Sequence, residues 1–194
     1  MDGKTFEDTS DFNVYTVETI IQIGKDNPQT APKIEGSLAY TLCYTSGTTG
    51  DPKGAIITHS NFLALMAGLN FSDCKYRKTD YNLSYLPLAH IYERAVYNLC
   101  AISGAKIGVF CGDKKKLLED MAYLKPTIFA SVARLYNKFF TLMKAKIPEP
   151  KKGQFAGMFG GRVRLMITAS APISNEVKAF FINALGVPML EAYG

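Results

Sequence analysis

Residues 44–54 read Tyr-Thr-Ser-Gly-Thr-Thr-Gly-Asp-Pro-Lys-Gly, between two short apolar runs. Gly47, Gly50 and Gly54 permit positive φ and leave room for a ligand against the backbone, so that successive amides can converge on an anion. Thr45, Ser46, Thr48 and Thr49 add hydroxyl donors, and Lys53 adds a positive charge. A Gly/Ser/Thr-rich turn joining two strands is the plain structural alternative; the hydroxyl density and the lysine favour phosphate. The spacing G-x-x-x-x-G-K-[ST] is not met, because Gly50 stands three residues before Lys53 and Gly54 follows the lysine. Pro52 also removes one donor amide. An ordinary kinase or GTPase loop is therefore disfavoured.

Other chemistry-bearing residues each have a bland reading. His90 lies beside an apolar strand, where a lone histidine serves as a hydrogen-bonded structural residue or as a catalyst, and both readings stay open. His59 has the same structural default. Tyr193 ends an apolar run and would by default be a core aromatic. The stretch Ala169 to Pro172 is explained as a strand-to-helix turn. Glu93 and Arg94 are expected to form a local ion pair with a supporting role.

These groups must be positioned by a chain of 194 residues, 47% hydrophobic, which is enough for one sizeable core. Runs at 38–44, 55–58, 83–88, 106–110, 127–130, 163–168 and 187–190 have strand length. Helical spacing occupies about 14–24, 61–71, 90–102, 114–124 and 174–185. A further helix follows Ser131, with Val132, Leu135, Tyr136, Phe139, Leu142 and Met143 on one face. Ser60, Asp113 and Ser174 are candidate N-caps. Alternation of this kind predicts an α/β fold with largely parallel sheets and helices on both faces. The Pro-, Gly- and Lys-rich segment 147–161 reads as a surface connection.

Cys43, Cys74, Cys100 and Cys111 lie far apart without a C-x-x-C pair, and are expected to be reduced, mostly buried thiols of an intracellular protein. The net charge of +5 is modest, and the lysine groups at 114–116 and 151–152 lack interleaved aromatics, so solvated faces are expected and no nucleic-acid partner. No window has the roughly 18 consecutive apolar residues of a membrane span, and the first residues lack the apolar core of a secretory signal.

The loop at 44–54 strongly resembles the phosphate-binding signature of the adenylate-forming (AMP-binding) superfamily. Companion segments follow in the expected order. Residues 85–94, Tyr-Leu-Pro-Leu-Ala-His-Ile-Tyr-Glu-Arg, resemble the second core motif; 167–174, Ile-Thr-Ala-Ser-Ala-Pro-Ile-Ser, resemble the region lining the adenine pocket; and Glu191-Ala-Tyr-Gly194 resembles the start of the third. The form of these segments is similar to long-chain fatty acyl-CoA synthetases. Ala169-Ser170 stands where many relatives have glycine.

The resemblance implies that Thr45, Ser46, Gly47, Thr48, Thr49, Gly50 and Lys53 hold the β- and γ-phosphates of ATP while an acyl carboxylate attacks the α-phosphorus. It places Ala169, Ser170, Ala171 and Pro172 along the adenine edge, with Glu191, Ala192, Tyr193 and Gly194 beside them and Tyr193 stacking on the base. It puts His90 near the acyl carboxylate, so His90 and Lys53 are the candidate catalytic residues. ATP, Mg²⁺ and coenzyme A are the implied cofactors, with the metal ligand expected outside this chain and no metal site within it. The implied organisation is a partial AMP-binding domain over 1–194, with 1–34 less diagnostic, 35–194 the core, and the small C-terminal domain absent. The implied parent is a fatty acid–CoA ligase, cytoplasmic or membrane-associated, of which this chain is a fragment that self-associates through exposed apolar surface. Adenylation of another carboxylate and a non-catalytic nucleotide-binding fragment are the alternatives.

Overall fold

A computed structural model of the chain describes residues 14–45, 53–72 and 75–193. By backbone contacts the chain divides into two units, Met1–Glu35 and Gly36–Gly194. In the first, helix α1 (Val17–Asp26) is capped by Thr16, whose hydroxyl accepts from the Thr19 amide at 3.1 Å. Its apolar residues, Val17, Ile20 and Ile21 among them, are exposed.

The second unit opens with an antiparallel pair, β1 (Ala39–Thr45) and β2 (Lys53–Thr58), in which Thr45 lies opposite Lys53. Helix α2 (His59–Asn70) follows directly. Its N-cap is Thr58, which forms a reciprocal capping box with Asn61, and not the expected Ser60. The strand runs straight into the helix, so the cap falls at the last extended residue. Tyr40 of β1 stacks on Phe62 of α2 at 4.6 Å between ring centroids and so ties the pair to the helix.

The remaining strands are β3 (Tyr81–Ser84), β4 (Lys106–Val109), β5 (Ile128–Val132), β6 (Leu165–Ala169) and β7 (Met189–Glu191). They form a fully parallel five-stranded sheet in the order β4-β3-β5-β6-β7. Between them run α3 (Ile91–Ser103), α4 (Leu117–Leu124), α5 (Ala133–Lys146) and α6 (Asn175–Leu185). Alternate strand residues face opposite layers, as the pleat requires. Ile128, Ala130, Leu165 and Ile167 pack with α2 and α3, whereas Phe129, Met166 and Met189 pack with α4, α5 and α6.

The crossover after β3 leads to one side of the sheet and that after β5 to the other. This puts the topological switch at the carboxyl ends of β3 and β5, where open α/β sheets bind ligands.

Further sequence expectations are corrected by the structure. Strand β3 occupies Tyr81–Ser84, earlier than the apolar run at 83–88, because Leu86-Pro-Leu leaves the sheet at Pro87, which cannot donate to a ladder. The segment 147–161 is not merely a surface connection: Phe155 and Phe159 are buried in the α4–α6 core, and Ala156–Phe159 form a short 3-10 turn. Ser174 caps α6 as expected, and Asp113 caps the 3-10 turn that leads into α4. Of the cysteines, Cys100 is buried, Cys43 half-buried and Cys111 exposed, so the mostly buried expectation fails at Cys111; Cys74 lies outside the described residues.

Candidate functional site

The glycine- and hydroxyl-rich loop lies where β1 hands over to β2. Residues 46–52 themselves, including Ser46, Gly47, Thr48, Thr49 and Gly50, lie outside the described residues, as does the side chain of Thr45. Their anchor points are defined, because Thr45 and Lys53 are register partners at the loop end of the hairpin. Arg94 links this hairpin to the parallel sheet. Its guanidinium donates to the Thr41 hydroxyl of β1 and, at 2.6 Å, to the Leu88 carbonyl in the loop after β3.

Arg94 therefore does not pair with Glu93. The latter points into the layer between α3 and the sheet, where it is 2% exposed and accepts a hydrogen bond from the Ser84 hydroxyl at 2.5 Å. Burial pushes the Glu93 carboxyl above the ordinary range, and the Ser84 hydrogen bond only partly opposes this. Successive residues on a helix face directions about 100° apart, which is why neighbours in sequence have separate partners.

His90 is the N-cap of α3. Its amide donates to the Pro87 carbonyl at 2.9 Å, and its Nδ1 accepts from the Tyr92 amide at 3.3 Å. An imidazole that accepts through Nδ1 carries its proton on Nε2 when neutral. The cap thus leaves Nε2–H as a donor for another group. The Tyr92 hydroxyl donates to the Ile167 carbonyl at 3.2 Å, which fastens the first turn of α3 over β6.

Between α2, α3 and β6 lies a cavity of about 160 Å³. Its body is apolar: Leu65 and Leu69 come from α2; Ile91, Ala95, Val96 and Leu99 from α3; Ile167 from β6. Val96, Leu99 and Tyr76 are buried at its inner end, while His90, Ser170 and Tyr193 are exposed and mark its mouth. The site consists of a greasy cleft with one imidazole donor and a strand-end turn at its opening.

The two segments assigned by resemblance to the adenine are neighbours. Thr168 pairs with Glu191 across β6 and β7, and the Ala192 amide donates to the Thr168 carbonyl at 2.8 Å. Ala169, Ser170, Ala192 and Tyr193 line the cavity; Ala171, Pro172 and Glu191 are exposed nearby without lining it; Gly194 lies outside the described residues. Tyr193 is fully exposed and so is not a core aromatic. Ser170 has φ +74°, a left-handed conformation that costs a residue with a Cβ about 1–2 kcal/mol. Among the described residues the buried hydroxyl of Thr168, opposite Ser131 across β5 and β6, has no hydrogen-bond partner.

Lys53 starts β2 and does not line the cavity. Among the described residues no three His, Cys, Asp or Glu side chains converge as a cation site. The only sequence signal for this cavity is the four-residue spacing of Leu65/Leu69 and Ile91/Ala95/Leu99. No helix among the described residues is long and apolar enough to cross a membrane.

A family model described as AMP-binding enzyme matches residues 3–194. The chain is 36% identical to the peroxisomal long chain acyl-CoA synthetase 6 of Arabidopsis thaliana, with 96% of this chain and 31% of that protein covered. It is 41% identical to long-chain-fatty-acid–CoA ligase 5 of Mus musculus, over 89% of this chain and 30% of that protein. The chain spans about a third of the length of these curated relatives. Among solved structures, the adenylation domain of a carboxylate reductase from Mycobacterium chelonae superposes with TM-score 0.76 at 25% identity, covering 90% of this chain and 29% of that one. ATP-bound MatB from Rhodopseudomonas palustris gives 0.66 at 25% identity, over 82% and 30%.

Proposed function

The chain belongs to the AMP-binding enzyme family, and on that premise we propose that it forms the nucleotide- and acyl-receiving part of a long-chain fatty acid–CoA ligase. The observation that carries this reading is the apolar cavity between α2, α3 and β6, which opens at His90 and Ser170. A carboxylic acid enters such a cleft tail first, because each buried methylene stabilises by about 0.8 kcal/mol. Its carboxylate then stays at the mouth, where the His90 Nε2–H can donate to it.

In the proposed reaction a carboxylate oxygen attacks the α-phosphorus of ATP, the bond to the β-phosphate oxygen breaks, and pyrophosphate leaves with that electron pair. The thiolate of coenzyme A then attacks the acyl carbonyl, and AMP departs. This chain's share is positioning and charge stabilisation. The loop from Thr45 to Gly50, with Lys53, would receive the β- and γ-phosphates; Ala169 to Pro172 and Glu191 to Gly194 would flank the adenine, with Tyr193 stacking on it. Arg94 holds the hairpin that carries the loop against the segment that carries His90. Mg²⁺ would enter with the phosphates of ATP.

Adenylation of a short, aryl or amino acid is the competing reading within the family. Pyrophosphate exchange by the full-length protein across palmitate, butyrate, benzoate and amino acids separates the two. Exchange supported best by palmitate is expected; exchange supported only by a compact acid would replace the proposal.

A further inference from the structure

Four of the five parallel strands enter the sheet through basic segments. Lys-Tyr-Arg-Lys-Thr-Asp at 75–80 leads into β3, Gly-Ala-Lys at 104–106 into β4, Lys-Pro-Thr at 125–127 into β5, and Arg-Val-Arg at 162–164 into β6. Because the strands are parallel, all four lie along one edge, opposite the cavity mouth. Hydrogen bonds stitch them together: the Lys106 amide to the Asp80 carbonyl at 2.9 Å, the Thr127 amide to the Tyr81 carbonyl at 2.9 Å, and the Arg164 amide to the Thr127 carbonyl at 2.7 Å.

Among the described residues this edge carries seven cations, Lys75, Arg77, Lys78, Lys106, Lys125, Arg162 and Arg164, against one carboxylate, Asp80, which Arg164 already occupies. The described residues together hold 21 cations and eleven carboxylates, so this edge carries six of their ten surplus positive charges. All but Arg164 are exposed, and among the described residues none of those six has a carboxylate within ion-pair distance. Helices α3 and α4 end on the same edge, but a helix C-terminus offers only about half a negative charge.

Aromatic rings accompany the charge. The Tyr81 ring is approached by the Lys106 Nζ, 4.5 Å from its centroid, and by the Arg162 guanidinium, 4.9 Å away. Tyr123, two residues before Lys125, is 92% exposed, and Phe71, four residues before Lys75, is 90% exposed. Long cations interspersed with exposed rings suit a bilayer interface, where headgroup phosphates take the charges and the rings sit at headgroup depth.

We propose that this edge docks the protein onto an anionic lipid surface. The electrostatic argument is independent of which acid the cavity takes. If the acid is long-chain, docking keeps the protein on the phase in which its substrate is dissolved.

Flotation with vesicles of phosphatidylcholine, alone or with one-third phosphatidylserine, tests it. Binding is expected only to the anionic vesicles and should weaken as salt rises. Removing one interfacial cation should lower partitioning roughly fivefold, so Lys106→Gln with Arg162→Gln should cost roughly 25-fold. Tyr123→Ser should lower it severalfold with an unchanged circular dichroism spectrum, and Lys138→Gln on α5 should leave it unaltered. Equal binding to neutral vesicles, an unaffected double variant, or a fall of the same size from Lys138→Gln would overturn the proposal. So would single-stranded DNA displacing the protein from the vesicles at equimolar phosphate.

Discussion

Asp80 and Glu93 sit at opposite ends of β3, each 2% exposed, and their environments drive them in opposite directions. Burial alone would raise the Asp80 carboxyl, but the Arg164 guanidinium at 2.5 Å, the Thr127 hydroxyl at 2.7 Å and the Arg77 amide at 2.7 Å together hold it below the ordinary carboxylate range. Among the described residues Glu93 has one hydroxyl and no cation as a partner, so burial prevails and its carboxyl is raised. Equal burial does not give equal electrostatics; the counter-charge decides. The contrast also separates two edges of one sheet. At the entry edge Asp80 binds the segments before β3, β5 and β6 into a scaffold. At the exit edge the polar groups are sparsely paired among the described residues: the Thr168 hydroxyl lacks a partner, Ser170 is strained, and Glu93 resists ionisation.

The largest effect is expected at the entry edge. Asp80→Asn leaves Arg164 without its counter-charge and should cost about 3 kcal/mol, at the lower end for a broken buried pair because Arg164 keeps some solvent. Urea unfolding at pH 7 measures it. A lowered folded pKa gives stability that is present above the unfolded value and lost as pH falls through the folded one. The wild type should therefore lose stability below about pH 4, and Asp80→Asn should flatten that acid limb.

Glu93→Gln should act in the opposite sense. A raised folded pKa means that the fold retains a proton the unfolded chain releases. Stability then declines as pH climbs from about 4.3 through the folded value. The amide removes that decline, so a gain of about 1 kcal/mol or more is expected at pH 8 and almost none at pH 4. A loss at pH 8 would show that the carboxylate is ionised and paired, which would break the contrast.

A smaller effect is expected at Ser170. Ser170→Gly relieves the left-handed backbone and should raise stability by about 1 kcal/mol, with no change in pH dependence. If the hydroxyl also serves the reaction, the more stable variant will have lower pyrophosphate exchange in the full-length protein.

Much of the exit edge was legible because its determinants are local. His90 precedes an amphipathic run that begins at Ile91, and the turn at Ala169 to Pro172 follows a buried strand. The alternation of strand and helix gave the sheet its layers. The entry edge was not legible. Asp80 and Arg164 are 84 residues apart, and nothing local marks them as partners. Glu93 and Arg94 were misread as a pair because adjacency in sequence was taken for adjacency on a helix surface. The cavity was missed for a related reason: its walls come from two helices and a strand, each of which alone carries only an ordinary apolar face. Phe155 and Phe159 were hidden in a segment whose Pro, Gly and Lys content outweighed them.

The central claim is that the cavity between α2, α3 and β6 receives the hydrocarbon tail. Its most direct test is pyrophosphate exchange by the full-length protein with palmitate and with butyrate, comparing the wild type with Ala95→Phe, which adds a ring to the cavity wall. Selective loss of palmitate-dependent exchange, with butyrate-dependent exchange retained, is the predicted result. An unchanged palmitate-to-butyrate ratio in the folded variant would contradict the claim.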